Sequence, residues 1–563
     1  MSPRHSRRVA SGRRPRSVLM PSGGSAPRRR RSRRPRRGGG GLRLGAIVRA
    51  IGVIVVLAAI AGGVVVWQTR TTAAQDRRDA AERFTTAWAR SDWAAMWRAL
   101  TPAARTAHPE AGFAAANRSA LRAAGVDAVR IGRLGRPRGG GLPVAVAMRT
   151  REFGTLRGTV LLPVSGSGAG AGVDWDPSLR LPGLRRGEAV HRRSGPQPQR
   201  APVLAADGTA LDATALGASI AGQAGAHPTG LQRRYNDRLG GHPSGSLMFG
   251  KRTIARTQAV RGRSVHTTIR PRLMQQAAAA LGGKLGGVAV IQPRDGAVLA
   301  LAGLAVSAPQ PPGSTFKIIT ASAALAHRLA TPSSRYPVRT FATLSGVKLR
   351  NASGEACGGS LTEAFTASCN SVFAPLGAKV GARRLVAMAR SFGFEEQPNV
   401  PAAKPSTIGS VADLRDDLAV GAAAIGQDRD LATPLEMASV GATIALGGRR
   451  ARPRITTLDP VVRHRAVSTQ VADQVRSMML NVVRSGTGTA AAIPGVQIAG
   501  KTGTAELRPN SRNPKDADAW FVAFAPAMQP KVAVAVLVVG AGFGGTAAAP
   551  IAKKVLAAAL AGA

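Results

Sequence analysis

Lys317 constrains the fold of this chain more than any other residue, because the sequence after it belongs inside a domain. Ile318-Ile319-Thr320-Ala321-Ser322-Ala323-Ala324-Leu325 is apolar on nearly every side of a helix, and a helix of that kind is buried. A lysine at its head is desolvated, which disfavours the ammonium and lets the amine accept a proton near neutral pH. Ser314 lies three residues earlier, on the same helix face. Gly313 permits a sharp turn before the serine, and the helix N-terminus directs N–H groups toward it. Ser314 and Lys317 therefore read as a nucleophile with its own base.

A single S-x-x-K is a weak signal, and the downstream sequence decides. Ser368-Cys369-Asn370 follows 54 residues after Ser314, and Lys501-Thr502-Gly503-Thr504 follows 133 residues after Ser368. In this order the three elements form the S-x-x-K, S-x-N and K-T-G set, which resembles that of penicillin-binding proteins and serine β-lactamases. The resemblance implies catalytic roles for Ser314, Lys317 and Ser368: nucleophile, base and proton relay. It implies substrate binding by Asn370, Lys501, Thr502, Gly503 and Thr504. Asn370 would contact the acyl side-chain amide, Lys501 a carboxylate with the threonine hydroxyls beside it, and the Ser314 and Thr504 N–H groups an oxyanion. Gly503 is expected to lack a side chain so that a substrate strand can lie against it.

Charge and hydropathy divide the chain. The net charge is +49, and 16 arginines with no acidic residue fall in the first 49 positions. Residues 1–43 read as a disordered basic tail. No aromatic or folded module accompanies it, so nucleic acid is not expected as a partner. Ala50 to Trp67 is an apolar run long enough to span a bilayer, longer than a signal-peptide core and far from the first residue. Residues 44–70 are thus expected to form a single-pass anchor in the cytoplasmic membrane. The arginines place the N-terminus in the cytoplasm and the remainder outside it.

The expected fold is multidomain α+β. Residues 76–190 read as a helix-then-sheet unit, with Phe84/Trp88 and Trp93/Trp97 as i, i+4 aromatic pairs, Asp92 as a cap, and strands at Val144-Ala145-Val146 and Thr159 to Val164. With Asp174-Trp175-Asp176-Pro177 at its end, this unit resembles the NTF2-like domain of low-affinity penicillin-binding proteins of the methicillin-resistance type. Residues 191–270, through Arg200 to Leu211, resemble the pedestal, or dimerisation-like, domain of the same family. Residues 271–563 resemble its α/β transpeptidase domain, with the connection from Ala302 to Gly313 short enough to suggest a trimmed rim. Gly426 in Ile425-Gly426-Gln427, the run Gly486-Thr487-Gly488-Thr489 and Asp518-Ala519-Trp520-Phe521 support that assignment.

Two other patterns compete. Gly495 to Thr502 satisfies a P-loop pattern but itself spells a strand, and Glu395 to Asn399 has the spacing of a deacylating glutamate loop without its leucine. Both are set aside. Cys357 and Cys369, 12 positions apart on the expected exterior, are disulfide candidates or two buried thiols. The histidines show no ligand spacing, so no metal and no cofactor are expected. The resemblance implies a serine D,D-transpeptidase cross-linking peptidoglycan stem peptides, inhibited by β-lactams and served by a membrane glycosyltransferase. A D,D-carboxypeptidase, a β-lactamase-type hydrolase or a non-catalytic assembly scaffold are the alternatives.

Overall fold

The computed structural model describes residues 44–508, 513 and 516–562, with the side chains of 44–60, 62, 65, 66 and 353 left out. The basic tail lies outside these residues. The apolar run forms part of a 47-residue helix, Leu44–Arg90, but most of its side chains are not described. Among the described residues no helix is long and apolar enough to cross a membrane.

Packing gives two compact units. One comprises the chain to Ala114 with Ile131–Ala145 and Val160–Asp176; the other comprises Ala115–Arg130, Val146–Thr159 and the chain from Pro177 onward. In the first, Phe84 and Trp88 are fully buried and meet edge to face at 5.9 Å, as their i, i+4 spacing predicts. Asp92 caps the helix Trp93–Arg98 by accepting the Ala95 N–H. Trp93 and Trp97 are only half-buried, because that helix is short and lies at the surface of its unit. Strands Val126–Leu134, Gly141–Thr150, Thr155–Ser165 and Gly172–Val173 pair in chain order.

Within the second unit, Val190–Ser194, Gly245–Phe249 and Arg252–Thr257 form a three-stranded antiparallel sheet, and Val203–Leu204 runs parallel to Val265–His266. Arg234 pairs with Asp459, and Tyr235 Oη lies 2.9 Å from Thr456 Oγ1, joining this part to the C-terminal part.

The centre of the second unit is a five-stranded antiparallel sheet in the order Ala297–Gly303, Gly286–Gln292, Val532–Val538, Ala517–Ala525, Ala499–Glu506. Its inner strands are buried throughout, so they read as continuous apolar runs rather than alternating ones. Helices Pro271–Leu281 and Gly544–Ala561 pack against it, as does Pro434–Ala445. The K-T-G residues lie on the edge strand, with Lys501 opposite Val522 and Gly503 opposite Trp520. An edge strand has one unpaired side, which is where an extended ligand can add.

Candidate active site

The three motifs, scattered over nearly two hundred residues of sequence, meet at one end of this sheet. Gly313–Phe316 forms a 3-10 turn, and the α-helix begins only at Lys317 and runs to Ala326. The expected helix therefore starts in its tighter form, in which residues i and i+3 are eclipsed. That geometry sets Lys317 Nζ 2.9 Å from Ser314 Oγ. Gly313, at φ +52°, cannot be replaced cheaply: a Cβ there would lie 2.6 Å from the Thr504 carbonyl oxygen. This close approach seats the serine beside the K-T-G strand.

Lys317 is fully buried while Ser314 is partly open. Its amine also donates to the Ser368 carbonyl at 2.6 Å and to Asn370 Oδ1 at 2.7 Å. A neutral amine has two N–H groups and one lone pair. In the neutral form, with both N–H groups on those two oxygens, the lone pair is left for Ser314 Oγ, to which an ammonium would instead donate. Burial, and then the nearby Lys501 charge, hold the Lys317 amine well below the usual lysine range.

Ser368 occupies the left-handed region, φ +64°, an unusual conformation for a residue with a Cβ. The strain serves to separate its two oxygens. The carbonyl reaches Lys317, while Oγ accepts a hydrogen bond from Lys501 Nζ at 2.7 Å and lies 3.5 Å from Lys317 Nζ. Ser368 Oγ therefore stands between two amines. Burial pulls Lys501 down to about 7, so it titrates near neutrality.

Alternation along the edge strand separates the remaining residues. Gly503 faces the nucleophile turn, where a Cβ would lie 2.8 Å from the Pro312 carbonyl oxygen and 2.9 Å from Thr315 Cγ2. The protein's own packing already requires glycine here, a reason separate from the expected approach of a substrate strand. Thr502 faces the opposite way and shares a 2.6 Å hydrogen bond with Thr487 Oγ1; Thr504 is partly open. Cys357 and Cys369 are joined in a disulfide with Cα atoms 5.8 Å apart, and Cys369 is fully buried between two motif neighbours that are not.

Neither competing pattern forms a site. Lys501 continues a strand to Glu506 rather than starting a helix, which a P-loop would need. Glu395 pairs with Arg390, and Glu396 with Arg450 and Arg452, so both carboxylates are engaged by arginines. Among the described residues no cluster of His, Cys, Asp or Glu is placed to hold a metal.

Some residues that shape the site escaped the sequence reading. Asn351 contacts the start of the helix carrying Asn370, and the role of Gly426, noted in sequence only as a flanking signature, is to pack its backbone on that of Gly313. Two short hairpin-like pairings, Arg335–Arg339 with Cys357–Ser360 and Phe341–Leu344 with Val347–Arg350, supply a rim that the short Ala302 to Gly313 connection had not suggested.

Comparison with known proteins agrees with this geometry. Residues 286–557 match the family described as the penicillin binding protein transpeptidase domain. Peptidoglycan D,D-transpeptidase PbpA of Mycobacterium tuberculosis is 36% identical over 398 residues, covering 59% of this chain and 80% of the relative. The chain belongs to the penicillin-binding protein transpeptidase family. Another relative in the family, PbpA of Mycolicibacterium smegmatis, is 38% identical over 399 residues, 59% of this chain and 79% of its own. Among solved structures, the ceftriaxone acyl-enzyme complex of penicillin-binding protein A from M. tuberculosis is 31% identical with a TM-score of 0.55, covering 65% of this chain and 99% of that one. The D,D-transpeptidase domain of a peptidoglycan glycosyltransferase from Eggerthella lenta is 29% identical with a TM-score of 0.56, again covering 65% and 99%.

Proposed function

We propose that this chain is a membrane-anchored class B peptidoglycan D,D-transpeptidase working through a Ser314 acyl-enzyme. The observation that carries the reading is Lys317 Nζ, fully buried and 2.9 Å from Ser314 Oγ, with burial holding the amine well below the usual lysine range. Ser314 Oγ attacks the carbonyl of the penultimate D-alanine as its proton passes to Lys317. The oxyanion is received by the Ser314 and Thr504 N–H groups. Ser368, between the two lysines, relays a proton to the departing nitrogen, the C–N bond breaks, and terminal D-alanine leaves. An amine of a second stem then attacks the ester, its proton returns along the same path, and Ser314 is regenerated as the cross-link forms. Lys501, with the hydroxyls of Thr502 and Thr504, holds the terminal carboxylate, and Asn370 holds the acyl side-chain amide.

A β-lactam presents the same carbonyl and carboxylate, so it acylates the same serine; relatives of this chain are known as β-lactam acyl-enzymes. Transfer to an amine rather than to water is favoured because the nearby acidic loop has its carboxylates tied to arginines.

Residues 44–70 anchor the chain, with 1–43 cytoplasmic and the catalytic part outside. The apolar run and its arginine flank support this. Residues 76–190 form an NTF2-like spacer and 191–270 a pedestal, supported by the helices, the four-stranded sheet and the Phe84–Trp88 pair of the first. A membrane glycosyltransferase supplies the glycan strands. The test is product analysis: full-length protein with nascent pentapeptide peptidoglycan should yield cross-linked stems and one D-alanine per link. Trimmed tetrapeptides without cross-links would make it a carboxypeptidase instead.

A further inference from the structure

Asn351 lies outside all three motifs, follows the strand Val347–Arg350 and is only 6% exposed. Its Nδ2 donates to the Arg339 carbonyl at 2.7 Å and to the Glu355 carbonyl at 2.8 Å. Its Oδ1 accepts the Ser371 N–H at 2.7 Å. Ser371 is the second residue of the helix Asn370–Val380, where backbone N–H groups have no partner within the helix. The residue before Asn351 contributes as well, since the Arg350 carbonyl accepts a hydrogen bond from Asn370 Nδ2 at 2.8 Å. Consecutive residues of the rim, 350 and 351, thus grip consecutive residues of the S-x-N helix start, 370 and 371.

This grip fixes the Asn370 amide from both ends. Oδ1 points to Lys317 at 2.7 Å, one hydrogen of Nδ2 is held by Arg350, and the second is the one an incoming carbonyl would take. An amide suits the Asn351 position: a carboxylate loses both donated bonds, and an apolar side chain leaves the buried Ser371 N–H without its acceptor and removes a donor from the Arg339 and Glu355 carbonyls.

We propose that Asn351 is a positioning residue for recognition of the acyl donor: it orients Asn370 toward substrates carrying a side-chain amide carbonyl. The proposal rests on the acyl-enzyme reading above. Asn351 acts on selectivity among donors more than on general activity, because it bonds the Ser371 N–H and makes no contact of its own with Lys317, whose bonds to Ser314 and the Ser368 carbonyl do not pass through it.

The test compares benzylpenicillin, which has the side-chain amide, with 6-aminopenicillanic acid, which lacks it, on full-length wild type, Asn351→Ala and Asn351→Asp. Acylation is followed by intact mass over a concentration series. In Asn351→Ala the half-saturating concentration of benzylpenicillin should rise about tenfold, the worth of one well-placed hydrogen bond, while that of 6-aminopenicillanic acid moves less than twofold. Asn351→Asp keeps the Ser371 bond but turns a carboxylate toward the Arg339 and Glu355 carbonyls, so it should show a loss of the same order with the same selectivity, and whichever of the two variants folds decides the matter. Equal losses for both compounds, or no loss for either, would overturn the proposal. A wild type that neither compound acylates would instead refute the acyl-enzyme reading.

Discussion

At Lys317 and Lys501 burial lowers the proton affinity of two amines within one site, and catalysis uses the two differently. Lys317, depressed further by its neighbour's charge, supplies a lone pair; Lys501, at about 7, supplies a cation that is lost as pH rises. Lys317→Arg should reduce acylation by about 10² to 10⁴, the usual worth of a general base, because a guanidinium keeps its proton. Stopped-flow acylation of a folded Arg variant at near wild-type rate would exclude the base role. For Lys501 the sign runs the other way. Its folded value lies below the ordinary 10.5, so above about pH 7 the carboxylate anchor discharges and the half-saturating β-lactam concentration should climb with pH. In Lys501→Arg the charge persists and that alkaline limb should vanish, whatever the variant's absolute rate; a limb left in place would assign it to another group.

The nucleophile turn is held against the edge strand and the Gly426 turn because their backbones touch, and the S-x-N turn is tied to both through the Lys317 and Lys501 side chains. Gly426, at φ +75°, would place a Cβ 2.1 Å from the Gly313 carbonyl oxygen, and the Gly313 N–H donates to the Gly426 carbonyl at 2.9 Å. Gly426→Ala should therefore push the turn off the edge strand, lowering acylation by more than tenfold, since small misplacements near reacting atoms are costly. Thermal melting beside acylation kinetics checks this, and a variant with wild-type kinetics would show that the turn does not depend on that contact. Legibility in the sequence follows the same division. Ser314, Lys317, Ser368, Asn370 and Lys501 were legible because their chemistry is rare at that order and spacing. The buried strands Gly286–Gln292 and Ala297–Gly303 were legible from apolar runs broken by a turn. Asn351, the Thr487 contact with Thr502 and the packing reason for Gly503 were not, since each matters through a residue 15 or more positions away in the chain. Local pattern carries no trace of such contacts, and the short rim strands had too few residues to show a period.

On the scale of the whole molecule, every residue assigned chemistry lies between Ser314 and Thr504, within the family match of 286–557. The segment 76–190 contributes none. Deleting residues 1–190 should therefore leave β-lactam acylation within a few-fold, measured on the purified, folded fragment; a large loss would give the N-terminal region a part in shaping the site. The central claim is that one hydroxyl, that of Ser314, carries the acyl group. Intact-mass and peptide mapping of full-length protein treated with benzylpenicillin tests it most directly. The account predicts a single adduct on Ser314 that disappears in a folded Ser314→Ala variant. An adduct on any other residue, or labelling that survives in Ser314→Ala, would contradict it.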